Sequence, residues 1–287
     1  MDWARAKTIL ILLFMVGNIL LGYQLWINTR GVDGVAYVMG QDPEAPLLDD
    51  LADFGLNSEA EIPEDTPRLY RLRLTPAEVD LDSLRAALFG AASVEEIIIG
   101  GEVGGYRSGE VLLIRGGPGA IRYRSGSTAP GEEMDTEKAE SIAEEFLSHP
   151  ALRPTGMEYD YSLPISNGAM VQINYRQEHR DLPLFGGGVI LRVGEDGIAE
   201  YQRLWFDVRG NVGTPTQVLS ASAAISANLP RLAQLVPEGT LVEVALGYYA
   251  GMSDAPEWEV DPAWRLRFKD GTVVIVNAYT GAVEWPL

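Results

Sequence analysis

Residues 188–208 read Gly-Val-Ile-Leu-Arg-Val-Gly-Glu-Asp-Gly-Ile-Ala-Glu-Tyr-Gln-Arg-Leu-Trp-Phe-Asp-Val, two β-prone runs on either side of Glu195-Asp196-Gly197. An Asp-Gly pair tolerates the positive φ angles of a tight hairpin, so Gly188 to Val193 and Ile198 to Val208 are expected as neighbouring antiparallel strands. Upstream, Asp135 stands where a helix needs its N-cap. Ala139, Ile142, Ala143, Phe146 and Leu147 then recur at three-and-four spacing until His149-Pro150 ends the run. Between helix and hairpin, Glu158 to Leu163 and Ala169 to Gln177 read as two more strands.

The same order recurs downstream. Ser220 caps a second helix, expected to end by Leu229 ahead of Pro230. Leu241 to Tyr249, Ala263 to Lys269, Thr272 to Asn277 and Ala282 to Trp285 then read as strands, with Lys269-Asp270-Gly271 as another Asp-Gly hairpin. A period of about 80 residues is too long for a solenoid and predicts two similar modules packed together, residues 129–213 and 214–287. The fold class is α+β: antiparallel sheets with packed helices.

Ahead of these modules the pattern is looser. Leu69, Arg71 and Arg73 alternate with Tyr70, Leu72 and Leu74, which predicts a strand with the second set facing the core. Thr75, Pro76 and Glu78 have the spacing of a capping box and predict a helix running to about Phe89 and stopping at Gly90. Val94 to Ile99, Glu110 to Arg115 and Ala120 to Arg124 follow as short strands between glycine turns at Gly100-Gly101, Gly104-Gly105 and Gly116-Gly117. Residues 67–128 thus form a small α+β module. Residues 28–66, rich in Gly, Asp and Pro, read as a spacer, interrupted by a short amphipathic helix from Leu47 to Leu56 with Leu48, Leu51 and Leu47 on one face.

Residues 1–27, MDWARAKTILILLFMVGNILLGYQLWI, carry the location signal. From Thr8 to Trp26 no side chain ionises except Tyr23, and at about 1.5 Å per residue the run spans roughly the 30 Å hydrocarbon core of a bilayer. A cleavable signal has a shorter apolar region, about 7–15 residues, and a small-residue cleavage site. This run instead exits through Tyr23, Gln24, Leu25, Trp26 and Ile27, so a signal-anchor transmembrane helix is expected. Arg5 and Lys7 keep its amino terminus cytoplasmic, and residues 28–287 lie outside the cell. Phe14, Asn18, Gly22 and Trp26 share one stripe of that helix. Asn18 near mid-span can bond a partner helix and Gly22 permits close approach, which makes the stripe a candidate helix–helix interface.

Charge and composition exclude several functions. Of the net −19, residues before Gly31 carry +2, so the remaining body carries −21. Such a body repels nucleic acid, which is bound through basic patches. With no cysteine, disulfides, thiolate metal sites, lipid anchoring through cysteine and cysteine nucleophiles are all excluded. The two histidines, His149 and His179, lie in no HExxH-type pattern, and no metal or cofactor is expected. Glu132-Glu133, Glu144-Glu145 and Asp49-Asp50 are sequence neighbours that point to different faces and read as solvated charge. Gly100-Gly101 and Gly186-Gly187-Gly188 lack the context of phosphate loops, and no Gly-x-Ser-x-Gly elbow is present. No catalytic constellation is predicted. Tyr248, Tyr249, Trp258 and Trp264 are candidates for a partner surface, against the commoner fate of core burial.

Met1-Asp2-Trp3 with the following basic residues and single membrane helix resembles the YycI regulatory proteins of Gram-positive bacteria. So do Ile173-Asn174-Tyr175-Arg176-Gln177, Leu182-Pro183-Leu184-Phe185 and Gln202-Arg203-Leu204-Trp205, which also resemble PepSY-like extracytoplasmic modules. Phe268-Lys269-Asp270-Gly271 through Val276-Asn277-Ala278-Tyr279-Thr280-Gly281 resembles the end of such a module. The resemblance implies a membrane-anchored, non-enzymatic regulator. It would associate with a YycH-like companion and a WalK (YycG) type sensor histidine kinase in cell-wall homeostasis, through contacts that include the membrane helices. A PepSY-like inhibitor or binding module acting on a protease or wall component is the alternative. The chain departs from its relatives in acidity and in having nineteen arginines against three lysines.

Overall fold

The computed structural model describes residues 44–126, 133–251, 253 and 255–285. The expected membrane helix lies outside them, and no helix among the described residues is long and apolar enough to cross a bilayer. Helix α1 (Glu44–Asp53) turns Leu47 and Leu51 inward, with Leu56 and Ile62 after it, while Leu48 faces solvent. A two-residue strand, β1 (Asn57–Ser58), follows. Residues 47–62, expected within a spacer, therefore supply core side chains.

Strand β2 (Arg68–Pro76) buries Leu72 and Leu74 but leaves Tyr70 exposed. It runs through Thr75-Pro76, where a helix start was expected, because these residues pair with Asp207 and Phe206. Pro76 stands at the strand's end, where its missing N–H breaks no internal rung. Helix α2 (Leu81–Phe89) starts instead behind Asp80, whose carboxylate accepts the Ser83 N–H at 3.0 Å and the Ser83 hydroxyl at 2.6 Å. A meander follows: β3 (Glu95–Ile99), β4 (Glu102–Ser108), β5 (Val111–Gly117) and β6 (Ala120–Arg124). Strand β4 contains Gly104-Gly105, expected as a turn. Gly105 lies so close to β5 that a Cβ would sit 2.3 Å from the Leu113 carbonyl oxygen, so the glycine serves strand approach, not chain reversal.

Helix α3 (Thr136–Phe146) has its expected cap, the Asp135 carboxylate accepting the Lys138 N–H at 2.9 Å. It packs across a meander of β7 (Met157–Ile165), β8 (Met170–His179), β9 (Leu182–Gly194) and β10 (Gly197–Leu204). The strand expected to reach Val208 ends early. Its continuation, β11 (Phe206–Gln217), joins β2 in a second sheet. At the break the Trp205 N–H donates to Gly119 at 3.2 Å and its carbonyl accepts from Ala77 at 3.0 Å, so neither polar group is stranded.

Ser220 caps α4 (Ala221–Ser226) by accepting the Ala223 N–H at 3.2 Å. A further helix, α5 (Leu229–Leu235), begins at the proline expected to stop the previous one; Pro230 occupies the first turn, where no N–H is needed. Strands β12 (Thr240–Tyr249), β13 (Trp258–Val260), β14 (Pro262–Phe268), β15 (Val273–Asn277) and β16 (Val283–Trp285) complete the chain.

Thirteen of these strands form one sheet along the order β16-β15-β14-β12-β9-β10-β6-β5-β4-β3, with β7 and β8 branching from β9 and β1 beside β12. Strands β11-β2-β13 form a small second sheet. The protein is thus mixed α+β with a dominant antiparallel sheet. One core lies with α2 and α3, around Leu113, Ile173, Leu191 and Tyr201. A second lies with α1, α4 and α5, around Leu51, Ile225, Trp264 and Phe268. The small sheet covers the join between them with Leu72, Leu74, Phe206 and Val260.

That join is a short parallel contact, Leu184 and Phe185 of β9 beside Tyr248 and Tyr249 of β12. Beyond it β9 continues through Gly186, at φ +87°, and runs on beside β10. A Cβ at Gly186 would meet the Ala250 carbonyl oxygen at 2.3 Å, and one at Gly247 would meet that of Pro183 at 2.3 Å. Both strands therefore need glycine where they touch.

A buried ion network locks the join. Arg265 on β14, 5% exposed, donates from Nη1 to Asp160 Oδ2 at 2.5 Å and from Nη2 to Asp160 Oδ1 at 2.7 Å, tying β14 to β7. Nη2 also donates to Glu243 on β12. Glu243 in turn accepts from Arg267 Nε at 2.7 Å. The Arg265 guanidinium lies 4.9 Å over the Phe185 ring and that of Arg267 lies 4.6 Å over Tyr161. Burial acts to lower the Arg265 pKa, but the hydrogen bonds and charge of Asp160, joined by Glu243, more than reverse it. The group stays cationic.

Two substitutions test the join. Gly247→Ala should lower stability by about 1–3 kcal/mol in urea denaturation, because the new methyl group meets a backbone carbonyl. Gly116→Ala, whose Cβ has its nearest neighbour at 3.5 Å, should stay within about 0.5 kcal/mol of the parent. Asp160→Asn leaves Arg265 without its bidentate partner and should cost roughly 3 kcal/mol in the same measurement.

Candidate functional site

Two chain segments change sheets through a single residue: Trp205 between β10 and β11, and Asp261 between β13 and β14. Where β13 turns into β14, the edge strand of the small sheet approaches β16, the edge strand of the large one. A cleft of about 450 Å³ opens between them, with Tyr249, Trp258 and Val260 as its apolar wall and Arg71, Asp261 and Glu284 among its charged groups.

Asn277 organises the acidic side. It is buried at the end of β15, and its Oδ1 accepts the N–H groups of Tyr279 at 2.9 Å and Thr280 at 3.0 Å, which fixes the amide's orientation. The Nδ2 group then donates to Asp261 Oδ2 at 3.1 Å and to Glu284 Oε1 at 2.7 Å. Arg71 Nε meets Asp261 Oδ1 at 2.7 Å. Asp261 thus has a cation and an amide donor, whereas Glu284 has the amide alone among the described contacts. Burial raises the Glu284 pKa above the ordinary carboxylate value; the Asn277 hydrogen bond opposes this and the Asp261 charge adds to it. Burial, then the Glu284 charge, also pushes the Tyr249 phenol up. On the opposite wall Trp258 stands edge-on to Phe206 with ring centroids 5.4 Å apart.

The arrangement sets two carboxylates around one amide N–H, with Arg71 on the far oxygen of Asp261. The Asn277 amide occupies the space between the two carboxylates that a sugar ring or an attacking water would need. The same N–H donor stands where a metal ion would have to sit, and no group of three or more ligating side chains among the described residues could hold one.

Other sequence-derived candidates fall elsewhere. Phe14, Asn18, Gly22 and Trp26 lie outside the described residues. Tyr248 and Trp264 are core residues, 4% and 0% exposed, and burial pushes the Tyr248 phenol up to about 12. Their neighbours Tyr249 and Trp258 line the cleft. His149 accepts the Ala151 N–H in a local turn at 3.2 Å. His179 ends β8, its pKa lowered by burial and by Arg180. Glu144 turns to the Tyr175 hydroxyl at 3.0 Å and to Arg153 at 2.8 Å, engagements that Glu145 does not share. Asn277, Asp261 and Glu284 were not singled out from sequence. A Pro-flanked Asp and an Asn within the closing Val-Asn-Ala-Tyr-Thr-Gly motif were the available signals, and neither shows that the two carboxylates meet.

Comparison with known families and with curated proteins finds no match. Among solved structures, an uncharacterized protein from Eubacterium rectale ATCC 33656 is similar, at 12% identity over 81% of this chain and 91% of that one, with a TM-score of 0.49.

Glu284 has a testable electrostatic signature. Because its folded pKa is raised, the carboxyl contributes most to stability below the ordinary carboxylate value of 4.5, and that contribution is lost as pH rises through the folded value. Glu284→Gln, which keeps an oxygen for Asn277, should therefore melt about 1–3 °C higher than the parent at neutral pH. The difference should close below the ordinary value, as read from thermal melts across a pH series.

Proposed function

We propose that this chain is a membrane-anchored extracytoplasmic regulator of the YycI type, associating with a YycH-like companion and a WalK (YycG) type sensor histidine kinase to modulate two-component signalling in cell-wall homeostasis. The observation that carries the reading is the Met1-Asp2-Trp3 start leading into an uncharged run from Thr8 to Trp26, joined to a body with the middle and closing motifs of that family. The body has two helix-then-meander units, α3 with β7 to β10, and α4 and α5 with β12 and β14 to β16. These units are the two PepSY-like modules of the proposal. The Asp-Gly hairpins are not equivalent within them: Asp196-Gly197 joins the third and fourth strands of the first meander, Asp270-Gly271 the second and third of the other.

Regulation in this reading is differential binding. The anchor helix stabilises one kinase state over another through Asn18, with Gly22 allowing close approach and Phe14 and Trp26 extending the stripe. A regulator of this kind is no enzyme and needs no cofactor. The alternative, an inhibitor or binding module acting on a protease or wall component, is supported by the cleft between β13 and β16. The experiment is the double substitution Asn18→Leu with Gly22→Leu in membranes. Kinase recovered by co-purification should fall about 3- to 30-fold, the equivalent of one mid-span hydrogen bond with its packing, and kinase-dependent transcription should change with it. Unchanged co-purification and transcription would remove the anchor helix from the mechanism.

A further inference from the structure

We propose that the cleft between β13 and β16 is a binding site for an extended segment of a partner polypeptide, which places a lysine or arginine side chain against Glu284 between Tyr249 and Trp258. The site lies on the folded body, and the proposal holds whether or not the anchor helix contacts a kinase.

Three features on different elements converge on that ligand. First, charge: Arg71 is committed to Asp261 at 2.7 Å, and Arg73 is shared by Glu257 and Glu259 at 3.3 Å each. Among the described residues Glu284 receives only the Asn277 amide, so there the cleft has one half-buried carboxyl with no cation beside it. An incoming ammonium or guanidinium supplies the missing charge in a site partly withdrawn from bulk water, where a charge-assisted hydrogen bond is stronger than on an open surface. The upward push on the Glu284 pKa, from burial and from Asp261, is the strain that such a cation relieves.

Second, the walls. Tyr249 and Trp258 give the methylene stem and charged head of a long basic side chain aromatic surface to pack on. Asn277 holds the carboxylates apart with an N–H group, which suits an organic cation bound at one carboxyl and excludes a bare metal ion between two.

Third, the frame. The cleft is bounded by the terminal strand of each sheet, β13 of the small one and β16 of the large one. Terminal strands offer backbone N–H and C=O groups to a strand laid alongside, so an extended backbone is the matching carrier for the basic side chain.

The test is peptide binding by the full chain, read by fluorescence anisotropy. The probes are labelled acetyl-Val-Thr-Lys-Thr-Val-amide, its arginine-centred analogue and its uncharged norleucine-centred analogue. The lysine and arginine peptides should bind about tenfold or more tightly than the norleucine peptide, with the gap narrowing at about 0.5 M salt. Glu284→Gln should remove most of that preference, whereas Glu137→Gln, on the exposed first turn of α3, should not. The thermal melts above report whether Glu284→Gln is folded, and the three-peptide comparison on the unaltered chain decides the matter even if it is not. Equal binding of the charged and uncharged peptides, or no binding of any, overturns the proposal. So does competition by N-acetyl-lysine amide as effective as by the lysine peptide, which would make the ligand a small amine.

Discussion

The guanidinium of Arg265 is the interaction around which the body is arranged. It sits where the two halves of the large sheet meet, bonded to Asp160 from one half and Glu243 from the other, with the Phe185 ring beneath it. An ion removed from water this thoroughly is tolerated only when its partners are held in place, since desolvation otherwise exceeds the Coulombic gain. The halves can therefore meet in one register. Any slip between β9 and β12 would separate the charges and drive a side chain into the backbone at Gly186 or Gly247. Hydrophobic packing stabilises each half, but it is non-directional, and polar geometry selects how the halves join.

From that join the rest follows in space. With β9 and β12 fixed side by side, Leu184 and Tyr248 present a small apolar surface that neither helical layer reaches. Strands β2, β11 and β13 cover it. To do so the chain crosses into the small sheet at Trp205, returns to the large sheet for β12, enters the small sheet again as β13 and crosses back at Asp261, and this last crossing brings the edges of both sheets together. The cleft is thus a consequence of the packing: Arg71, Asp261, Asn277 and Glu284 come from four separate segments and meet because the sheets converge there.

Much of the fold was legible because the relevant physics is local. Asp135 and Ser220 cap helices in the structure as they do in the reading, since a side chain accepting the N–H three residues on needs nothing from the rest of the chain. Both Asp-Gly turns reverse the chain for the same reason. The failures share an opposite cause. Thr75-Pro76 has the spacing of a helix start, yet pairing with β11 outweighs a cap worth about 1 kcal/mol. Gly104-Gly105 resembles a turn until the closeness of β5 is known. The Ser220-capped helix ends before Leu229 as expected, but Pro230, read only as a stop, sits in the first turn of a helix whose packing the local pattern does not show. Leu47, Leu51, Leu56 and Ile62 sit in a Gly-, Asp- and Pro-rich stretch that composition assigns to a spacer, and only their distant packing partners make them core.

By itself, then, the sequence determined the α+β class, most of the strands, both main helix caps, the strong negative charge and the absence of any cysteine chemistry. Each of these depends on composition or on residues within a few positions of one another, where spacing decides which side chains can meet. The tertiary structure alone decided that Arg265 is buried, that Gly186 and Gly247 mark the contact of two strands, and that Asp261 and Glu284 share one amide. Those facts are relations between residues far apart in the chain, and no local pattern encodes a distance that only the packed sheets define.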